Sequence, residues 1–184
     1  SKKILVTGVA GFLGSHLSEK LVELGHKVIG IDNMLGGYED NVPKGIEFYN
    51  EDCCNFERIN SLMSGVNVVY HCAATAHEGL SVFSPYEITK NNYLASVSIF
   101  SAAVNKKVDR IVFCSSMARY GDQQTPFTES MKPRPVDPYA ISKVAAEEVL
   151  KNLCELNGIE WVIAIPHNII GPRQKYDDPF RNVV

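Results

Sequence analysis

Short runs rich in Val and Ile recur along the chain at residues 4–6, 27–31, 46–49, 66–73, 110–114 and 161–165. Runs of this length without strict alternation predict strands buried on both faces. Between them, apolar positions take helical spacing over residues 12–24, a short 56–63, a longer 85–105, and 138–157. Gly25 and Gly158 directly follow two of these helices, where a left-handed cap suits glycine. Strand and helix alternate throughout. That alternation predicts an α/β fold of the Rossmann type, a doubly wound parallel sheet with helices on both faces, because right-handed crossovers lay each helix against the sheet. Residues 33–45 and 117–137 carry no regular pattern, and long loops at the carboxyl ends of strands are where such sheets bind ligands.

Composition narrows the function. The 184 residues, 45% apolar and 21% charged, suffice for one domain with a substantial core. A net charge of -3 offers no basic face for a nucleic-acid backbone, so no nucleic-acid partner is expected. No apolar stretch approaches membrane-spanning length, and the run after Lys2 and Lys3 is too short for a signal-peptide core, so no membrane association is expected. Cys53, Cys54, Cys72, Cys114 and Cys154 show no paired CxxC spacing. They read as small apolar residues of a reducing compartment, which predicts no metal site and a cytoplasmic location.

The first candidate chemistry follows the first predicted strand. Thr7 to Gly14 read TGVAGFLG, with glycines at 8, 11 and 14, and helical spacing follows. Gly8 permits a tight bend, Gly11 lets the backbone approach a pyrophosphate, and Gly14 allows helix and strand to pack closely. The helix amino terminus then offers N–H groups and the positive end of its dipole to phosphate. The second strand ends at Asp32, where a carboxylate meets the adenosine ribose and repels a 2'-phosphate, so NAD is expected over NADP. The competing structural reading has Asp32 and Asn33 capping a turn.

Tyr139 and Lys143 stand four apart on a predicted helix and so share a face. A tyrosine hydroxyl, with an unperturbed pKa near about 10, becomes a useful base near neutrality only beside positive charge. Lys143 and an oxidised nicotinamide supply it. Ser115 and Ser116 follow the strand at 110–114 and therefore reach the ligand-binding edge.

Together these residues resemble the extended short-chain dehydrogenase/reductase family, in particular its NAD-dependent nucleotide-sugar epimerases and dehydratases. The resemblance rests on TGVAGFLG at 7–14, Asp32-Asn33, Asp52, HCAA at 71–74, Asn92, SSMARYG at 115–121, YAISK at 139–143 and HNIIGPR at 167–173. It implies that Asp52 and Cys53 flank the adenine, that Ala73 and Ala74 line the cofactor path, and that Asn92 helps hold the active-site network on the cofactor. Phe12, Leu13, Asn33, Ser115 and Pro166 join the implied cofactor contacts, while Ser81, Ser116 and Asn168, with His77, Glu78 and Arg173, are implied substrate contacts. Tyr139 is the implied base, Lys143 its electrostatic and ribose-binding partner, and Ser116 the hydroxyl that orients the substrate oxygen.

The implied reaction oxidises a nucleoside-diphosphate sugar at C4 and returns the hydride to the other face, an epimerisation that needs no external reductant. Met117 and Ala118 stand where family dehydratases carry acids, which favours 4-epimerisation over 4,6-dehydration. A dinucleotide-binding module without catalysis is the alternative from another class. Arg119 and Ile165 are further departures from the family pattern. The resemblance implies a homodimer through helices 85–105 and 138–157. It also implies one NAD-binding domain over 1–184, a fragment of a longer enzyme whose substrate domain is largely absent.

Overall fold

The computed structural model describes residues 1–75 and 84–174. Ser81, His77 and Glu78 lie outside the described residues. The chain runs β1 (Lys3–Thr7), α1 (Phe12–Glu23), β2 (Lys27–Asp32), β3 (Glu47–Asn50), α2 (Phe56–Leu62), β4 (Val68–His71), α3 (Pro85–Thr89), a π-helical turn (Lys90–Leu94), α4 (Ala95–Asn105), β5 (Arg110–Cys114), α5 (Pro138–Asn157) and β6 (Glu160–Ala164). Among the described residues six strands form one parallel sheet, in the order β3-β2-β1-β4-β5-β6. This is the Rossmann order, and it reverses between β1 and β4. At that reversal the loops leaving β1 and β4 part to opposite sides, which leaves a crevice along the carboxyl edge.

Alternation along β1 divides the core. Leu5 faces one side with Ile29, Val69 and Ile111, packed under Ile59, Met63, Ile99, Phe100 and Leu150 from α2, α4 and α5. Ile4 and Val6 face the other side with Val28 and Val68, under Leu17, Leu21 and Val22 of α1. Burying side chains of this size contributes roughly 1.5–3 kcal/mol each, so both faces are strongly fixed. On the α1 face the cross-strand row runs from buried Val6 through half-buried Tyr70 and Val112 to Val162, which is 46% exposed.

The strands and helix stops follow the sequence pattern closely, with Gly25 and Gly158 at φ +82° and +65°. The long helix expected over 85–105 is instead interrupted by the π turn. Asn92 Nδ2 donates to the Ile88 carbonyl at 2.8 Å, and the Ser96 hydroxyl donates to the Asn92 carbonyl. Side chains that occupy carbonyls four residues back compete with the helical ladder and widen it. The supposedly irregular segments also contain short 3-10 turns, Glu39–Asn41 and Met117–Tyr120.

One buried hydrogen-bonded chain ties the turn to the sheet's reversal point. Thr7 Oγ1 accepts the N–H groups of Cys72 and Ala73, each at 3.0 Å, so its own proton goes to His71 Nδ1 at 2.7 Å. His71 Nε2 must then carry the ring proton, and it donates to Ser96 Oγ at 2.9 Å. The ring stacks on Phe113 with centroids 5.7 Å apart and meets Phe100 edge-on at 5.6 Å. Burial, with repulsion from Lys143, pushes the His71 imidazole down to about 3, so it stays neutral.

An unfolded histidine takes up a proton near pH 6.5, whereas folded His71 refuses it until about pH 3. Stability from this group is therefore complete above about 6.5 and declines as pH falls, by at most about 1.4 kcal/mol per pH unit. Denaturant titrations at steps from pH 7 to 5 should show a shallower decline in His71→Gln than in the parent. Equal slopes would remove His71 as the source.

Candidate active site

The turn after β1 is built for a close-approaching anion. Gly8 sits at φ +76°, and a Cβ there would stand 3.0 Å from Ala73 N, so the turn lies tight against the end of β4. A Cβ on Gly14 would reach 2.1 Å from Gly8 O, which makes glycine obligatory where α1 crosses β1. Gly11 is the N-cap of α1 and no side chain caps that helix; a Cβ there would touch only Gly8 O, at 3.2 Å, and otherwise fill the cradle. By contrast, Asn55 caps α2 and Asp137 caps α5 through their side chains. The first N–H groups of α1 are thus left for a ligand, and the residues present fit a pyrophosphate.

Around this cradle lies a cleft of about 800 Å³. Its walls include Gly8, Gly11, Phe12, Leu13, Asp32, Asn33, Asp52, Cys53, Ala73, Ala74, Ser115, Ser116, Tyr139, Pro166 and Asn168, so the fold gathers most of the expected positions in one space. Asp32, at the end of β2, accepts Ala10 N–H at 3.0 Å and Met34 N–H at 2.8 Å. Two N–H groups leave a carboxylate with further acceptor capacity, so turn-capping and ribose binding are compatible here. Asn33 closes its own turn on Leu35 N at 3.1 Å. Residues 166–174 fold back over α1: His16 Nε2 donates to the Pro172 carbonyl at 2.8 Å, and Arg173 pairs with Glu19 at 2.8 Å. Arg173 is therefore engaged at the outer rim.

Two expected positions stand behind the wall rather than in it. Asn92 is 1% exposed; its amide oxygen accepts Thr75 N–H and its nitrogen donates to the Thr75 and Ile88 carbonyls, which fixes the chain leaving β4. Its neighbour Asn91 lines the cleft. Lys143 is 3% exposed and its ammonium donates to the Cys114 carbonyl at 2.9 Å. That ammonium lies 5.0 Å from the Phe113 ring centre and 5.9 Å from that of Tyr139, whose helix starts at the Asp137 cap and Pro138. Burial lowers Lys143 to about 8, although Cys114, Cys72 and Glu147 oppose the shift. At neutral pH it remains a cation beside the tyrosine.

The serine pair divides its work. Ser115 turns its hydroxyl inward to Glu147 Oε2 at 2.8 Å, while Ser116 Oγ accepts Ala118 N–H at 3.2 Å and keeps a proton to donate at the cleft. Glu147 is 1% exposed and bound by Arg119, Nε to Oε2 at 3.1 Å and Nη2 to Oε1 at 3.0 Å. This two-point pairing accounts for Arg119, whose place before Tyr120 had no explanation in the sequence. Sequence reasoning missed Glu147, although it stands four residues after Lys143 on the same helix face, the signal that would have found it. Thr7 and His71 were also missed, because their roles arise only where β1 meets β4.

Comparison with known proteins agrees with this arrangement. The chain belongs to the NAD dependent epimerase/dehydratase family, whose model matches residues 4–183. It is 38% identical over 176 residues to a Methanocaldococcus jannaschii protein provisionally named UDP-glucose 4-epimerase, covering 93% of this chain and 57% of that one. A solved UDP-N-acetylglucosamine 4-epimerase from Methanobrevibacter ruminantium, in complex with UDP-N-acetylmuramic acid, superposes with a TM-score of 0.94 at 32% identity, covering 100% of this chain and 60% of that one. Thermus thermophilus UDP-glucose 4-epimerase in complex with NAD superposes at 0.89 with 35% identity, covering 94% and 57%. The chain therefore spans less than two thirds of the length of these proteins.

Removing Arg119 strands a buried carboxylate, so Arg119→Met should cost about 3–5 kcal/mol of unfolding free energy, read from denaturant midpoints. The double variant Arg119→Met, Glu147→Leu should recover much of that loss. If the two variants are equally destabilised, the pair is not the reason.

Proposed function

We propose that this chain is the dinucleotide-binding domain of an NAD-dependent nucleotide-sugar 4-epimerase, working on a nucleoside-diphosphate sugar through a 4-keto intermediate. The observation that carries this reading is the convergence of Ser116 and Tyr139 on one cleft with Lys143 beneath, next to a glycine cradle suited to pyrophosphate. Glycine turn, first N–H groups of α1 and Asp32 would hold the dinucleotide's phosphates and adenosine ribose. When bound, that cofactor supplies the hydride acceptor and donor.

The chain's own residues handle the proton. Tyr139, as phenolate, takes the proton from the C4 hydroxyl, and the Lys143 cation stabilises the negative charge on its oxygen. Ser116 donates its free proton to the same sugar oxygen and so orients it. For the return of hydride to the opposite face, Tyr139 gives the proton back. Met117 and Ala118 provide no carboxylate to expel water from the sugar, which supports epimerisation over dehydration.

The acidic cleft residue Asp32 supports NAD over a 2'-phosphorylated dinucleotide. We read the protein as a cytoplasmic enzyme, in keeping with five free thiols. Tyr86, Leu94 and Ile141, on the helical layer from α3 to α5, are 75%, 51% and 53% exposed and suit a homodimer contact. Light scattering at twice the chain mass would support that pairing.

The test is conversion by the chain extended past Val184, with UDP-glucose and UDP-N-acetylglucosamine as probes and no added reductant. The 4-epimer should appear, NAD should be found in the purified protein by mass spectrometry, and Tyr139→Phe should lower kcat by about 100- to 10,000-fold. A 4-keto-6-deoxy product would replace the epimerase reading with the dehydratase one. Undiminished turnover in Tyr139→Phe would remove the tyrosine from its role.

A further inference from the structure

Cys72 follows β4 and Cys114 ends β5. His71 and Phe113 are register partners in this parallel pair, so Cys72 and Cys114 stand opposite one another at the next step, on the face away from the stacked His71 and Phe113 rings. Their sulfurs are 3.4 Å apart. Neighbouring strands lie about 4.7–4.9 Å apart, within the roughly 4.4–6.8 Å between Cα atoms that a disulfide spans, so closure asks for a sulfur movement of about 1.4 Å and no change of register. Cys72 lines the cleft, Cys114 stands directly behind it, and both residues are partly exposed, which gives small solutes access to the pair.

We propose that Cys72 and Cys114 form an oxidisable dithiol in the cleft floor, closed to a disulfide by hydroperoxides, and that closure disables dinucleotide binding. The second half rests on the dinucleotide reading above. The Cys72 thiol hydrogen-bonds the Cys114 sulfur, which with Lys143 nearby holds Cys114 below the usual thiol range, whereas Cys72 is pushed up. The pair thus presents one favoured thiolate and one proton-bearing partner. The Cys114 thiolate attacks a peroxide oxygen; the O–O bond breaks, leaving a sulfenic acid, and the displaced oxygen departs as water or alcohol after protonation. The Cys72 sulfur then attacks the sulfenyl sulfur, the S–O bond breaks, and water leaves with the Cys72 proton. Two thiols are oxidised by two electrons and one peroxide is reduced.

Closure reaches the cradle through short contacts. Thr7 Oγ1 holds both Cys72 N and Ala73 N, and the Gly8 turn packs so closely on the Cys72–Ala73 peptide that a Cβ on Gly8 would stand 3.0 Å from Ala73 N. The Cys114 carbonyl is the acceptor of Lys143, and Ser115 follows directly. The strand spacing lies at the short end of the disulfide range, so relaxing toward the usual spacing of about 5.5–6 Å eases the two strand ends apart without a change of register and displaces both the cradle and the lysine. Other thiols serve as internal controls: burial pushes Cys53 up to about 12 and both Cys54 and Cys154 to about 11.

The experiment treats the purified chain with hydrogen peroxide, alkylates remaining thiols, and maps cysteines by mass spectrometry, with NAD titrated on reduced and oxidised samples. The expected result is a Cys72–Cys114 disulfide reversed by dithiothreitol, with NAD binding weakened by roughly tenfold or more. Cys72→Ala should leave Cys114 trapped by dimedone as the sulfenic acid, and its NAD affinity should respond far less to dithiothreitol-reversible oxidation. Alkylation of both Cys72 and Cys114 after peroxide, with oxidation confined to Cys53, Cys54 or Cys154, overturns the dithiol. A mapped disulfide with unchanged NAD affinity overturns the switch. Failure of reduced protein to bind NAD at all, with the disulfide still formed, strikes at the dinucleotide reading and leaves the thiol pair standing.

Discussion

At the reversal between β1 and β4, two backbone N–H groups leave the sheet with no strand to receive them, and the Thr7 hydroxyl takes both. Buried N–H groups without acceptors cost about 1–3 kcal/mol each, so this single oxygen decides whether the crevice can exist in its present form. Because its lone pairs are occupied, its proton must go to His71, which fixes the histidine tautomer, and the ring passes the bond on to Ser96 and the π turn. The glycine cradle on one side and the helix carrying Asn92 on the other are thereby held at set positions across the cleft. Replacing any member leaves another buried polar group unpaired, and the network holds the site together as a unit.

Charge below the cleft is organised by the same constraint. Two ionisable side chains of α5, Lys143 and Glu147, are almost wholly buried one helical turn apart. Glu147 is neutralised by the forked guanidinium of Arg119 and by Ser115, so little of its charge is left to bind Lys143 tightly. The ammonium rests instead on the Cys114 carbonyl and over two aromatic rings, close to Tyr139. A lysine held by a tight carboxylate would offer less positive charge to a neighbouring phenolate. Arg119 thus links the 3-10 turn that bears Ser116's neighbours to the helix that bears Tyr139 and Lys143.

Family membership and site geometry account for different things. The match over residues 4–183 and the superpositions establish the architecture and the family. The proposed chemistry rests on groups that converge on one space: a capless helix end, a carboxylate with spare acceptors, a serine with a free proton and a tyrosine above a buried lysine. The chain spans a little over half the length of the compared proteins.

Six strands, the order of elements, the glycine turn and the Tyr139–Lys143 pair were legible in the sequence because each is a local pattern: apolar runs, helical periodicity, or spacing of four. Asp32 was legible by its distance from the turn. The sequence could not divide the labour between Ser115 and Ser116, explain Arg119, or find Glu147, Thr7 and the Cys72–Cys114 contact. It also read helix 85–105 as continuous. The contacts of Arg119, Glu147, Thr7 and the cysteine pair depend on which strand lies beside which, and on groups brought together from positions 28 to 66 residues apart. Local pattern fixes what each segment becomes; the strand order and register decide which polar groups are buried together, and burial is what obliges those groups to find one another.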